Sequence, residues 1–153
     1  MATRTSGKSI QELSAFTHSI RLTSSDFTTA GSAQAHNVSV GIGAKVRDVA
    51  FKLHTAFDGG STSGLVMDIG DGSDVDAFIN NVELHADATE VFYGPTAAAD
   101  FGALFPGYVY RAAGNIVLTF TASGANIDTL DAGDIEVFFN IIDIDDVSDE
   151  ITK

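Results

Sequence analysis

The stretch Asp48-Val49-Ala50-Phe51-Lys52-Leu53-His54-Thr55-Ala56-Phe57 decides how the chain folds. Val49, Phe51, Leu53, Thr55 and Phe57 share one parity, and Asp48, Lys52 and His54 share the other. A period of two sends alternate side chains to opposite faces, so the segment reads as a half-buried antiparallel strand. Asp58-Gly59-Gly60-Ser61 follows at once with turn chemistry, and Leu65, Met67 and Ile69 form the apolar face of the next strand. The pair predicts a hairpin with a loop of about five to seven residues.

The same period recurs on both sides. Upstream, Val38, Val40 and Ile42 alternate with polar or small residues from His36 onward. Downstream, Val82, Leu84 and the Val91-Phe92-Tyr93 cluster are short strand material, and Tyr108 to Tyr110 and Asn115 to Ala122 read as strands joined by the turn Ala112-Ala113-Gly114. The last long strand runs from Ile135 to Ile144. There Ile135, Val137, Phe139 and Ile141 hold one parity, while Phe138, Ile142 and Ile144 hold the other. A strand apolar on both faces needs cover on both, so Phe138, Ile142 and Ile144 are candidates for a contact between subunits. Between the strands, Gly70-Asp71-Gly72-Ser73 leads into Asp74-Val75-Asp76-Ala77-Phe78-Ile79. With Ser73 as N-cap and Asp74 and Asp76 at the positive end of the dipole, this predicts a helix of about two turns.

Seven or eight short strands bounded by Gly, Asp and Ser, with one short helix, predict an all-β antiparallel sandwich, with a jelly roll as the expected topology. Residues 1–18 form an extended N-terminal arm, in which Ile10, Leu13 and Phe16 are three residues apart. Residues 19–144 form the sandwich and residues 145–153 a polar tail. No repeat of 20 to 50 residues is visible, which argues against propellers and solenoids.

Composition narrows the function. At 153 residues the chain has room for one domain with a real core. It has no cysteine and no tryptophan, which removes disulfides, thiolate metal sites and a cysteine nucleophile. A net charge of −13 and a pI near 4.3 repel a phosphate backbone, so nucleic acid is not an expected partner. Mean hydropathy is +0.16, yet no apolar run approaches the roughly 20 residues of a membrane helix, and no signal-type apolar segment follows Met1. A soluble globular protein without a membrane partner is expected. The bases cluster: Arg4, Lys8, Arg21, Lys45, Arg47 and Lys52 lie in the first third, beside only Glu12, Asp26 and Asp48. A basic amino-terminal stretch in an acidic chain suits contact with an acidic neighbour.

The residues that could carry catalysis do not stand in the patterns it needs. His18, His36, His54 and His85 form no His-x-His or His-x-x-x-His pair. Gly60-Ser61-Thr62-Ser63-Gly64 puts Thr62 where a nucleophile elbow needs serine. No phosphate-cradling or dinucleotide fingerprint occurs. Asp68, Asp71, Asp74 and Asp76, interleaved with Gly70 and Gly72, could supply oxygen ligands to calcium, but the EF-hand order is absent. A turn and helix cap accounts for them more simply. Paired carboxylates for glycoside hydrolysis would need an exposed aromatic platform, and 11 of the aromatics are phenylalanine, which suits cores and dry contacts. The sequence reads as a protein without catalytic residues, metal or cofactor.

Two stretches carry a resemblance: Gly70-Asp71-Gly72-Ser73-Asp74-Val75-Asp76-Ala77-Phe78, and Leu118-Thr119-Phe120-Thr121-Ala122 through Gly133-Asp134-Ile135-Glu136-Val137-Phe138-Phe139. Across Leu65 to Asp145 the chain resembles the jelly-roll decoration, or cement, proteins of tailed bacteriophage heads. That resemblance implies a homotrimer on the outer surface of the virion head, bound to the major capsid protein lattice and performing no catalysis. On that reading Arg4, Lys8, Phe16 and Arg21 are the candidate capsid contacts, and Phe138, Ile142 and Ile144 the contacts among copies. A tail or fibre-adaptor subunit, a carbohydrate-binding module and, behind these, an enzyme are the alternative functions of the same fold.

Overall fold

The computed structural model describes residues 16–86, 91–93 and 107–143. The strands are β1 (His18–Thr23), β2 (Ala33–Val40), β3 (Ala44–Asp58), β4 (Gly64–Gly70), β5 (Ile79–Glu83), β6 (Val91–Tyr93), β7 (Tyr108–Val109), β8 (Gly114–Ser123) and β9 (Ala132–Asp143). They form an all-β sandwich. One sheet runs β1-β9-β3-β6, with the short β7 also pairing β3; the other runs β2-β8-β4-β5, and every strand pairing is antiparallel.

Alternation builds the core as the sequence requires. Val49, Phe51, Leu53 and Phe57 of β3, Leu65, Met67 and Ile69 of β4, Ile116, Leu118 and Phe120 of β8, and Ile135, Val137 and Phe139 of β9 are all buried between the sheets. Each such side chain contributes about 1.5–3 kcal/mol by leaving water, and no disulfide is present to share the task. Thr55 departs from the pattern. It is exposed because the β3–β9 register shifts on both sides of it, from Leu53 to Thr55 and from Thr55 to Asp58.

Three local expectations are corrected. First, β3 and β4 are no hairpin: the five residues 59–63 carry the chain from one sheet to the other, and β3 pairs β9 while β4 pairs β8. A loop of that length serves either geometry, and burial of both apolar faces selects the crossover. The same holds for β7 and β8, which pair β3 and β2 respectively across Ala112-Ala113-Gly114. Second, residues 71–78 contain turns and bends but no helix. Asp71, not Ser73, is the capping side chain: its Oδ1 accepts the N–H groups of Ser73 and Asp74 at 2.8 Å each. Phe78 then closes the excursion by donating its N–H to Ile69 O at 2.9 Å and burying its ring. The short helices that do form are single 3-10 turns, Ser24–Asp26 and Ile127–Thr129. Third, Ile42 lies past the end of β2 and is 58% exposed.

The registers place the connections. Val40 faces Gly114, Ala44 faces Asp143, Lys45 faces Val109 and Gly70 faces Val117. Segments 41–43, 71–78 and 110–113 therefore share one end of the sandwich, and 24–32, 59–63 and 124–131 share the other.

Candidate functional site

The face of interest is the outer side of the β1-β9-β3 sheet. Because Leu22, Ile135, Val137, Phe139, Val49 and Phe51 point into the core, the alternate residues point outward. Register sets them in rows across the three strands: Arg21, Glu136 and Lys52; then Ser19, Phe138 and Ala50; then Asn140 and Asp48; then Ile142 and Lys45. The first row is charged and the second is apolar at its centre.

Phe138 and Ile142 are half-buried on this face. The ring of Phe16 lies 5.8 Å from that of Phe138, tilted by 49°. Phe16 is held there by its neighbour: Thr17 donates its N–H to Phe139 O at 2.9 Å, and its hydroxyl accepts the Ile141 N–H at 2.9 Å. Ala50 is 1% exposed although it belongs to the outer row. The structure thus brings together two residues assigned to different tasks by the sequence, Phe16 for the capsid and Phe138 for other copies. Arg21 joins the same face and is already engaged. Its Nε and Nη2 donate to the two Asp134 oxygens at 2.9 and 2.5 Å. The hydrogen bond and charge of Arg21 hold the Asp134 carboxyl below its ordinary range. Asp48 goes the other way, raised by burial. Arg4, Lys8 and Ile144 lie outside the described residues.

A second apolar group occupies the end formed by 41–43, 71–78 and 110–113. Ile42, Val75 and Val109 are the large apolar side chains most exposed among the described residues, at 58%, 57% and 41%. All three sit at this end. A shallow groove of about 640 Å³ opens beside them, lined by Asp71, Asp74, Ala77, Tyr108 and Arg111 among others.

The acidic cluster is spent on folding the turn. Asp68 Oδ1 accepts the Asn81 N–H at 2.6 Å, Asp71 accepts two backbone N–H groups, and Asp76 Oδ2 accepts from Asn80 Nδ2 at 2.7 Å. Burial pushes the Asp71 carboxyl up, but hydrogen bonds from the Tyr108 hydroxyl and from backbone N–H groups outweigh it, and the net shift is downward. Asp74 is raised, chiefly by its hydrogen bond with Asp76. Among the described residues no three His, Asp or Glu side chains are placed to hold a metal ion. The four histidines sit on β1, β2, β3 and after β5, well separated in the topology. No helix of the described residues is long and apolar enough to cross a membrane.

One arrangement was not legible in the sequence. Gln34 and His36, on the inward parity of β2, build a hydrogen-bonded network with the connection after β1. A Gln-x-His pair at strand spacing places both side chains on one face, which was its only trace in the sequence. No family model, curated protein or solved structure matches the chain.

Proposed function

We propose that the chain is a structural subunit of a virion, decorating the outside of a tailed-phage head by self-association and by binding the major capsid protein lattice. The observation that carries this reading is the outer face of the β1-β9-β3 sheet, where Phe138 lies half-buried against Phe16 and Ile142 follows two rows on, after the inner face of the same strand has already filled the core. Apolar side chains left over from a complete sandwich gain about 25 cal/mol per Å² when a second polypeptide covers them.

Strand order supports the jelly-roll part of the proposal. The sheets run 1-9-3-6 and 2-8-4-5, with first and last strands paired and with the chain changing sheets at β1–β2, β2–β3, β3–β4, β5–β6, β7–β8 and β8–β9. Two Greek keys folded onto each other give this order. The exposed Ile42, Val75 and Val109 at one end offer a second contact, suited to a lattice, while the sheet face serves the copies of a trimer.

Solution mass tests the reading. The full-length protein is expected at three times its 16.0 kDa chain mass. Phe138→Asp is expected to shift it to the monomer with its strand-rich circular dichroism intact. A wild-type monomer, or a trimer indifferent to Phe138→Asp, overturns the assignment of this face.

A further inference from the structure

Within the connection 24–32, between β1 and β2, residues 26–29 are clasped by one side chain, while Gly31 and Ser32 are tied by backbone bonds to Ile127 and Ala122. Gln34 Oε1 accepts the N–H groups of both Thr28 and Thr29 at 2.9 Å. Its Nε2 donates to Asp26 O at 2.7 Å. These three backbone partners fix the amide orientation without ambiguity, because N–H groups require the oxygen and a carbonyl requires the nitrogen. The remaining Nε2 proton of Gln34 points to His36 Nε2 at 3.1 Å. Since Gln34 Nε2 can only donate, His36 Nε2 must accept, and the imidazole is neutral with its proton on Nδ1.

The surroundings of His36 reinforce that state. Its ring stands edge-on to Phe27 at 5.4 Å and to Phe120 at 5.9 Å, and Phe27 is packed in turn against Phe57 and Phe120. From β8 it meets Phe120 and its pairing partner Leu118, both uncharged. From the connection it faces Asp26, the one charged group acting on it among the described residues. That carboxylate is itself occupied, accepting the N–H and hydroxyl of Thr23 at 2.7 and 3.0 Å. Desolvation lowers the affinity of His36 for a proton, and the attraction of Asp26 offsets it only in part.

We propose that His36 is a pH-sensitive latch: protonation of Nε2 sets N–H against N–H at Gln34 and loosens its clasp on residues 26–29 of the connection. The sign is fixed by linkage. In the unfolded chain His36 takes up its proton near pH 6.5, whereas the clasped form holds out to lower pH, so acidification through that window favours the loosened clasp. For an assembly component, this provides a segment loosened by mild acid, and it stands whether or not the virion reading does.

Nuclear magnetic resonance of the full-length protein tests it. At pH 7.5 the His36 ring nitrogens are expected to report the Nδ1–H tautomer. On acidification the Thr28 and Thr29 amides are expected to lose protection roughly two- to tenfold beyond the intrinsic pH effect, the cost of about one hydrogen bond, in step with the His36 titration. His36→Phe keeps the ring packing and should abolish the step, and Gln34→Leu should remove the protection at every pH. An Nε2–H tautomer at pH 7.5, amide protection that ignores the His36 titration, or a pH step persisting in His36→Phe overturns the proposal.

Discussion

Gly133 shows how one residue lets two neighbouring strands of one sheet, β3 and β9, keep their register. Its φ is +133°, a conformation L side chains rarely adopt, and a Cβ there would collide with the ring of Phe57. Phe57 is fully buried and reaches this spot because β3 and β9 shift register between Thr55 and Asp58. Gly133→Ala is expected to destabilise the protein by about 3 kcal/mol or more, measured by urea unfolding, since both backbone strain and overpacking must be relieved. A cost below about 1 kcal/mol would mean that β9 moves aside freely. At this scale the sequence is a good guide to identity and a poor one to partners. Asp71-Gly72-Ser73 marked a turn, but the choice between Asp71 and Ser73 as its cap depends on the local backbone, which turns the Ser73 and Asp74 N–H groups back onto Asp71.

Among elements, β9 carries the largest structural burden. It pairs β1 on one side and β3 on the other, and so ties the first and last described strands of the sandwich together. Its two faces differ in consequence. Phe139 is fully buried among core side chains, whereas Phe138 looks outward beneath Phe16. Phe139→Ala should cost about 3–5 kcal/mol, and the same truncation at Phe138 much less, by thermal or denaturant unfolding of the isolated protein. Comparable losses at the two positions would contradict the orientation of the strand. The alternation of Ile135, Val137 and Phe139 made the inner face readable in advance. The pairing partners were not readable, because a period of two names a face and leaves open which strand lies alongside.

For the whole molecule, the chain enters the sandwich at Thr17, which bonds to Phe139 and Ile141 near the end that also carries Ile42, Val75 and Val109. On the proposed capsid role, deleting residues 1–16 should leave a folded sandwich by circular dichroism and abolish binding to phage heads. Full binding by the truncated protein would reject a role for the arm. Charge fits this division. Residues 1–16 hold two of the six early bases, Arg4 and Lys8, against Glu12, so on the proposed capsid role their removal weakens attraction toward an acidic neighbour.

The sequence by itself determined the class of fold and the content of its core, because burial of alternate side chains is a local demand that Val49, Phe51, Leu53 and Phe57 state within ten residues. It also marked Phe138 and Ile142 as surplus to that core. Only the tertiary structure decided that β3 and β4 part into different sheets, that residues 71–78 turn without becoming helical, that Phe16 and Phe138 share a face, and that Gln34 and His36 clasp the turn just before β2. The sheet crossover and the Phe16–Phe138 contact depend on residues far apart in sequence, and the two turns on side-chain to backbone bonds that a period of hydrophobicity does not encode.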